Sequence, residues 1–512
     1  MSQGKGASMS LAVLLSRAQN GLTGIPVRVE VHLSSGLPAF NVVGLPDAGV
    51  KESRDRVRSA LVSSGYSFPA GRITVNLAPA DLPKASGRYD LPIALGVLLA
   101  SGQLPEQVHG KAIEWSRFIL AGELSLTGAL VDVPAPLALA LSVARESACF
   151  TLVLPASAAR LAAQVPGIAV WSADTLEQVV THFSGGVPLA VVDPPSVTYV
   201  SERTLCLSDV RGQSQARRVL EVAASGGHSL LMSGCPGTGK SMLAQRLPGL
   251  LPMLSIEQAL EVSALVGYAR HASAVFSSIP PLRSPHSSVT LPALIGGGAT
   301  PSPGEVTLAH NGVLFTDELP HFKAQVIEGL REPLETGCVT IARTRSTVTF
   351  PARFQWVAAM NPCPCGWLGH LRTLCRCTPD AIARYRSAIS GPLLDRLDLH
   401  ITLQPMPQGW MRLPKSETSA VVAERVRLSR QRQIQRQGKL NVALSVPELE
   451  HWCALDPVSE EVLEQAIERW SWSARAVHRI LRVARTLADM QGEAAISKIT
   501  LSEAMQYRQP WP

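Results

Sequence analysis

Charge is scarce in this sequence. Charged residues make up 17% of it and aromatic residues 5%, where an average globular chain is roughly a quarter charged. Low charge beside 46% apolar residues excludes a disordered scaffold, which carries high charge and little to bury. Long apolar runs are also missing. The longest clean one, around Leu91–Ala100, is about ten residues, and a bilayer span needs about 18–20. A helical membrane protein is therefore excluded. The start shows no charged region leading into an apolar segment and a cleavage site, so no secretory signal is expected. Cysteines number nine in 512 residues, an odd count and mostly scattered. They make no disulfide framework, and a reducing cytoplasm is the expected compartment. What is present is core-forming material for about three domains at roughly 100–200 residues each. The net charge of +7 admits an anionic partner without identifying one.

Hydropathy patterning divides the chain. Residues 1–8 (MSQGKGAS) are small and polar, a frayed start. A helical pattern is expected from Met9 to about Ala18. Residues 27–33 and 73–78 alternate like strands. Val50–Leu61 has the spacing of an exposed helix, and Leu91–Ala100 that of a buried one. Arg117–Leu124 and Phe150–Leu154 read as strands, 134–145 and 157–163 as helices. These predict one α/β domain over 9–183. Gly and Pro clusters without periodicity make 184–206 a linker. A second α/β domain is expected over 207–405, opening on a helix at Gln215–Ala224 and a buried strand at Ser229–Ser233. Helical periodicity then fills 406–512, and no tandem repeat is present. The expected fold class is α/β, multidomain.

Gly234-Cys235-Pro236-Gly237-Thr238-Gly239-Lys240-Ser241 fits G-x-x-x-x-G-K-[ST] at every fixed position, between a strand and a helix at Met242–Leu247. The glycines let backbone N–H groups wrap phosphates at the positive end of a helix dipole. Lys240 would reach the β- and γ-phosphates of ATP, and Ser241 would ligate Mg²⁺. The second half of such a site is an apolar strand ending in acids, supplied by Val313-Leu314-Phe315-Thr316-Asp317-Glu318, with Thr316 a small departure. Asp317 would hold the Mg²⁺ shell, and Glu318 would polarise the attacking water. Phe354–Met360 reads as the next buried strand, with the Asn361 amide placed to hold that water. In Ser390-Gly391-Pro392-Leu393-Leu394-Asp395-Arg396-Leu397-Asp398, Arg396 either acts in trans on a neighbour's ATP or is a salt-bridged structural residue.

These motifs, with NVVGLPDAGVKESRDRVRSAL (41–61), RITVNLAPADLPK (72–84), DVRGQSQARRVLEVAASGGHSLLMSGCPGTGKSMLA (209–244), NGVLFTDELPHF (311–322), NPCPCG (361–366) and SGPLLDRLDLH (390–400), resemble the ComM/YifB family of magnesium-chelatase-like AAA+ ATPases. The resemblance covers Met9 to about Tyr507. It implies an AAA+ P-loop core with a C-terminal helical lid. It implies sensor 1 at Asn361, an arginine finger at Arg396 and sensor 2 at Arg475, and places Gln213 near the adenine. It implies a hexameric, helicase-type ring, formed with ATP and DNA, that promotes branch migration on single-stranded and branched DNA during natural transformation and recombination.

Cys363, Cys365, Cys375 and Cys377 form two C-x-C pairs within 363–377. Four thiolates this close suit a closed tetrahedral Zn²⁺ site, although the spacing is not the usual C-x₂-C. A disulfide pair or reduced thiols is the alternative. The long stretch between Lys240 and Asp317 leaves room for an insertion, and LRSPHSS (282–288) with Gly296-Gly297-Gly298 reads as a mobile loop that could face a pore. Val339–Arg343 and Thr347–Pro351 read as a hairpin. Arg343 and Arg345 at its tip either grip DNA phosphates or keep an edge soluble. Residues 409–439 carry eight Lys/Arg and two Asp/Glu. Arg425, Arg427, Arg430, Arg432 and Arg436 there form either a solvated helix face or a DNA-facing stripe.

Residues 9–183 resemble a Lon-protease-type domain in DLPIALGVLLASGQL (90–104) and AGELSLTGALV (121–131). A protease of that type needs a Ser–Lys dyad. The dyad positions fall near Tyr89 and Leu137, which cannot do that chemistry, so a non-proteolytic scaffold is expected. Lys51, Lys84 and Arg88 are either phosphate contacts or ordinary surface charges. Three rival functions remain: a metal-chelatase ATPase subunit, a protease or its regulator, and a protein-remodelling chaperone.

Overall fold

Alternating burial dominates the first two hundred residues. The computed structural model of the protein describes residues 10–508 except 81, 83, 85, 147, 195–204, 271–275, 299–300, 344–345, 371 and 407–408. The start at 1–8 and Arg345 therefore lie outside the described residues, as does the side chain of Lys51. The chain forms two compact units, residues 1–199 with 257–276 and 340–350, and 200–256 with 277–339 and 351–512.

The first unit is built on an eight-stranded sheet. Its strands are β1 (Ser10–Asn20), β2 (Thr23–Ser34), β3 (Ala39–Val43), β4 (Arg72–Ala78), β5 (Phe118–Leu120), β6 (Thr151–Pro155), β7 (Ala169–Ala173) and β8 (Ala190–Val191), in the order β8-β7-β6-β5-β1-β2-β4-β3. The helix expected from Met9 to Ala18 is instead strand β1. It pairs antiparallel with β2 along its whole length, Leu14 opposite Val29 and Ala12 opposite Val31. Ala12 and Leu14 are buried while Leu11 and Val13 are exposed. The apolar spacing fits both periods, and cross-strand pairing decides between them. Helix α1 (Asp90–Ala100) is buried almost throughout. It lies so close to β2 that a Cβ at Gly96 would stand 2.5 Å from Val31 Cγ2.

The sheet also runs past the expected boundary at 183, because β8 pairs antiparallel with β7. The strand expected over 117–124 breaks after Leu120, and Glu123–Leu124 pairs separately with Leu130–Val131. Tyr89 and Leu137 are buried. Neither Lys84 nor Arg88 is a surface charge: both are buried. Arg88 donates to the Pro134 carbonyl at 2.9 Å and Lys84 to that of Pro79. The other stretches of this unit carry the helix Ile256–Arg270 and most of the hairpin Cys338–Arg343/Ser346–Pro351. Asn20 Nδ2 donates to the Thr347 carbonyl at 3.2 Å, and the Tyr268 and Phe350 rings lie 5.5 Å apart.

The second unit holds a five-stranded parallel sheet. After α2 (Ser214–Gly226) come β9 (Leu230–Gly234), α3 (Lys240–Ala244), β10 (Leu282–Arg283), β11 (Val313–Thr316), β12 (Gln355–Met360) and β13 (Leu399–Leu403), with sheet order β10-β11-β12-β9-β13. Leu282–Arg283 is thus an edge strand and not part of a mobile loop. It pairs with Val313–Leu314, and Arg283 makes two hydrogen bonds to Glu305 at 2.6 and 2.7 Å. Gly296–Gly297 likewise pairs with Ser302–Pro303. A run of C-terminal helices follows, among them α4 (Ser419–Gln437), α5 (Ala474–Gln491) and α6 (Lys498–Gln506). Their Val422, Ile480, Leu487 and Leu501 share one core with Val219 of α2 and with Met232 and Phe315 of the sheet. No break between compact units falls near 405.

The arginines of α4 all have protein partners. Arg425 pairs with Glu221 and Glu417, Arg430 donates to the Ala224 carbonyl, and Arg432 and Arg436 bind Asp489. Arg425, Arg427 and Arg432 are nevertheless exposed, and Arg427 pairs with Glu424 on the same helix.

Candidate nucleotide site and cysteine cluster

β9 is apolar and wholly buried, so the sheet fixes the point at which the glycine loop begins. Gly237 and Gly239 have φ of +77° and +93°, conformations that favour glycine. An added Cβ at either would meet nothing within 4 Å, so the loop curls around open space. Lys240 opens α3 at the far side. Its Nζ donates to the carbonyls of Gly234 and Cys235 at 2.6 and 3.0 Å and to Asn361 Oδ1 at 3.1 Å. Burial lowers its pKa, opposed by the nearby Asp317 carboxylate. An ammonium held only by neutral acceptors beside an open cradle suits an incoming phosphate.

Ser241 Oγ donates to Asp317 Oδ2 at 2.7 Å. That hydroxyl–carboxylate pair, at the end of β11, is the donor set a Mg²⁺ ion on phosphate requires. Asp317 Oδ1 accepts from the Glu318 N–H at 2.9 Å. Glu318 is exposed and has φ of +53°, a strained geometry that concentrates at functional positions. Thr316, the polar interruption in the strand, is explained by Trp356: the buried indole donates to its Oγ1 at 3.0 Å. Gln213, also in the left-handed region, donates to the Thr238 carbonyl at 3.3 Å and the Gln404 carbonyl at 2.8 Å. Lys240, Ser241, Asp317, Asn361 and Gln213 thus converge on one loop. Arg475 stands exposed in the first turn of α5, and among the described residues no hydrogen bond or ion pair joins it to that group. Arg396 is drawn inward in its own chain: it pairs with Glu335 and donates to the Pro392 carbonyl at 2.8 Å.

Three family descriptions match the chain: "Magnesium chelatase, subunit ChlI" over residues 206–411, "Subunit ChlI of Mg-chelatase" over 29–158, and "Magnesium chelatase, subunit ChlI C-terminal" over 416–508. Competence protein ComM of Haemophilus influenzae is 45% identical over 507 residues, 98% of each chain. The uncharacterized protein YifB of Escherichia coli is 45% identical over 506 residues, 98% of this chain and 97% of that one. The chain belongs to the ComM/YifB family. A more distant relative, the magnesium-chelatase 38 kDa subunit of Cereibacter sphaeroides, is 26% identical over 173 residues, covering 30% of this chain and 52% of that protein. The magnesium-chelatase-like AAA+ family suggests an ATPase using ATP and Mg²⁺. Among the described residues, no helix is long and apolar enough to cross a membrane.

This member of the ComM/YifB family carries a cysteine cluster directly beside its glycine loop. The sulfurs of Cys363, Cys365, Cys375 and Cys377 all lie within 4.8 Å of one another. Neighbouring sulfurs are 3.4–3.6 Å apart, beyond the ~2.05 Å of a disulfide, so all four thiols are free to hold a metal. Backbone N–H donors of Trp367 and Arg376 push the Cys365 thiol down, while contact with the other sulfurs holds Cys375 and Cys377 up, so the first proton leaves from Cys365. Gly366, with φ of +82°, rests against the glycine loop: a Cβ there would meet Pro236 Cδ and Cγ at 2.8 Å. The hairpin arginine Arg343 is exposed.

Sequence reasoning missed a buried polar knot behind Arg396. Ser229 Oγ donates to the Arg396 carbonyl at 2.7 Å, and the Ser229 N–H donates to Asp398 Oδ2 at 3.1 Å. His228 Nδ1 stands 3.4 Å from Asp398, and Arg479 closes an ion pair with it. Burial pushes the Asp398 carboxyl up, but His228 and Arg479 outweigh it and hold it low. The available signal was the spacing: Arg479 lies one turn beyond Arg475 on the same helix.

Proposed function

We propose that the protein is an ATP-hydrolysing ring motor, hexameric and cytoplasmic, that drives branch migration of DNA in recombination and natural transformation. The observation that carries the ATPase part is the convergence of Lys240, Ser241, Asp317 and Asn361 on one glycine loop. The DNA part is supported by the full-length likeness to a competence protein. When bound, Mg²⁺-ATP supplies a cleavable phosphoanhydride. Lys240 exchanges its backbone carbonyls for phosphate oxygens, and Ser241 and Asp317 hold the metal shell. Asn361 orients the attacking water and Glu318 takes its proton. Arg396 leaves Glu335 to stabilise charge on a neighbour's ATP, and Arg475 senses nucleotide from the C-terminal helices. Gln213 lies toward the base. Arg343 contributes phosphate contacts that do not read sequence.

The four cysteines would hold a Zn²⁺ ion whose contribution would be structural. The N-terminal unit is a Lon-like scaffold without protease chemistry. A chelatase role is the second reading, favoured by the match to the 38 kDa subunit. The test is the ATPase rate with and without single-stranded and four-way-junction DNA, beside Lys240→Ala. Strong stimulation, lost in the variant, is expected. Hydrolysis indifferent to DNA overturns the motor reading.

A further inference from the structure

The segment carrying Arg396 is held from two sides. The sheet grips it through Ser229, as described. The C-terminal helices grip it more extensively. Arg479, on α5, uses one Nη1 atom for both the Arg396 carbonyl, at 3.3 Å, and the Asp398 carboxylate. Arg508, just beyond α6, donates to the Leu397 carbonyl and reaches Asp395 at 2.8 Å. The His400 N–H donates to the Tyr507 carbonyl at 2.7 Å. Residues 395–400 are therefore tied to the C-terminal helices at five backbone or carboxylate positions. Asp398 and Arg508 are buried, so these are desolvated contacts in which direction and charge both matter. By contrast, Glu335, which takes up the Arg396 guanidinium, is well exposed.

We propose that Arg479 is a positioning residue for Arg396, so that the C-terminal helices of each chain set the arginine that chain offers to its neighbour. This rests on the reading of Arg396 as a group that acts in trans. Helix α5 has Arg475 at its start and Arg479 one turn later. Movement of that helix on nucleotide binding is transmitted through the Arg479 guanidinium to the backbone of Arg396. Occupancy of one site thereby sets the finger presented to the next.

The test uses mixtures of full-length chains. A Lys240→Ala chain has a dead site and an intact finger. An Arg396→Ala chain has an intact site and no finger. Mixed, they should regain DNA-stimulated ATPase activity, and absence of recovery overturns the trans reading and this proposal with it. Given recovery, Arg479→Gln is placed in one partner at a time. In the Lys240→Ala finger donor it should cut the recovered rate at least tenfold. In the Arg396→Ala acceptor it should leave the rate within twofold. Arg479→Lys, which keeps the charge beside Asp398, should restore more than half the rate in the donor. Equal loss in donor and acceptor marks a general structural role and overturns the proposal, as does no loss in either. Melting temperatures of the singly substituted chains establish that each one is folded.

Discussion

A single methyl group at Gly366 should weaken nucleotide binding from the cysteine side of the site. Two costs arise. Gly366 sits at φ of +82°, where a non-glycine residue costs about 1–2 kcal/mol. The new Cβ would stand 2.8 Å from both Pro236 Cδ and Cγ, inside van der Waals contact, and overpacking of this kind costs about 1–3 kcal/mol. The backbone term is the same with and without nucleotide and lowers only the melting temperature. The contact term falls on Pro236, inside the glycine loop. If the loop moves to relieve it, ATP affinity should drop by about 5- to 150-fold, since each 1.4 kcal/mol is tenfold. Gly369 supplies the control. Its φ is +80°, but a Cβ there meets nothing within 4 Å. Gly366→Ala and Gly369→Ala should therefore lose similar stability, and only the first should lose affinity. A fluorescent ATP analogue titrated into metal-loaded protein, beside thermal melts, reads both. Equal affinity in the two variants would refute the reasoning and show that the cysteine turn absorbs the strain.

Three further outcomes follow from the same structure. Purified protein should hold one zinc per chain, and chelation should free four thiols and raise the ATP Kd; metal well below one per chain sinks the site. Burial, reinforced by Arg508, pushes His400 down to about 3, so the unfolded chain takes up a proton that the folded one refuses. Stability is fully present above about pH 6.5 and should fall by up to about 1.4 kcal/mol per unit as pH drops from there toward 3. His400→Asn should flatten that slope in melts taken at pH 7, 6 and 5, and an unchanged slope contradicts the account. Asp489 is buried and binds Arg436, Arg485 and Asn441. Asp489→Ala should cost about 3–5 kcal/mol in denaturant unfolding, as for a broken buried pair, whereas Arg427→Ala, on an exposed pair, should leave the unfolding midpoint nearly unchanged.

The nucleotide residues were legible in the sequence because their chemistry is local. Gly237, Gly239, Lys240 and Ser241 are contiguous, and the glycines encode their own backbone conformation. The cysteine cluster was legible because four sulfurs in fifteen residues have few other uses. What stayed hidden depends on partners distant in the chain. Met9 to Ala18 reads as a helix until β2 pairs with Ser10–Asn20. Leu282–Arg283 is too short to show a strand period and becomes one only against β11. The arginines of α4 looked available for an anion because nothing nearby in sequence announces Glu221 or Asp489. The approach of Gly366 to Pro236 has no signature in spacing at all.

The division into two units carries a consequence for how this protein can be taken apart. The polypeptide crosses between them five times, at 199/200, 256/257, 276/277, 339/340 and 350/351. A protease that cuts near residue 200 severs the one covalent link to residues 1–199, but 257–276 and 340–350 on the other fragment belong to the same compact unit, so the N-terminal piece should stay attached by packing until the fragments are denatured. A shortened gene that starts at residue 206 keeps Tyr268 and Phe350 but loses the strands that complete their unit. The two units are not beads that evolution could add or drop at one end. They are sewn together, and removing either cleanly would take cuts in several places at once.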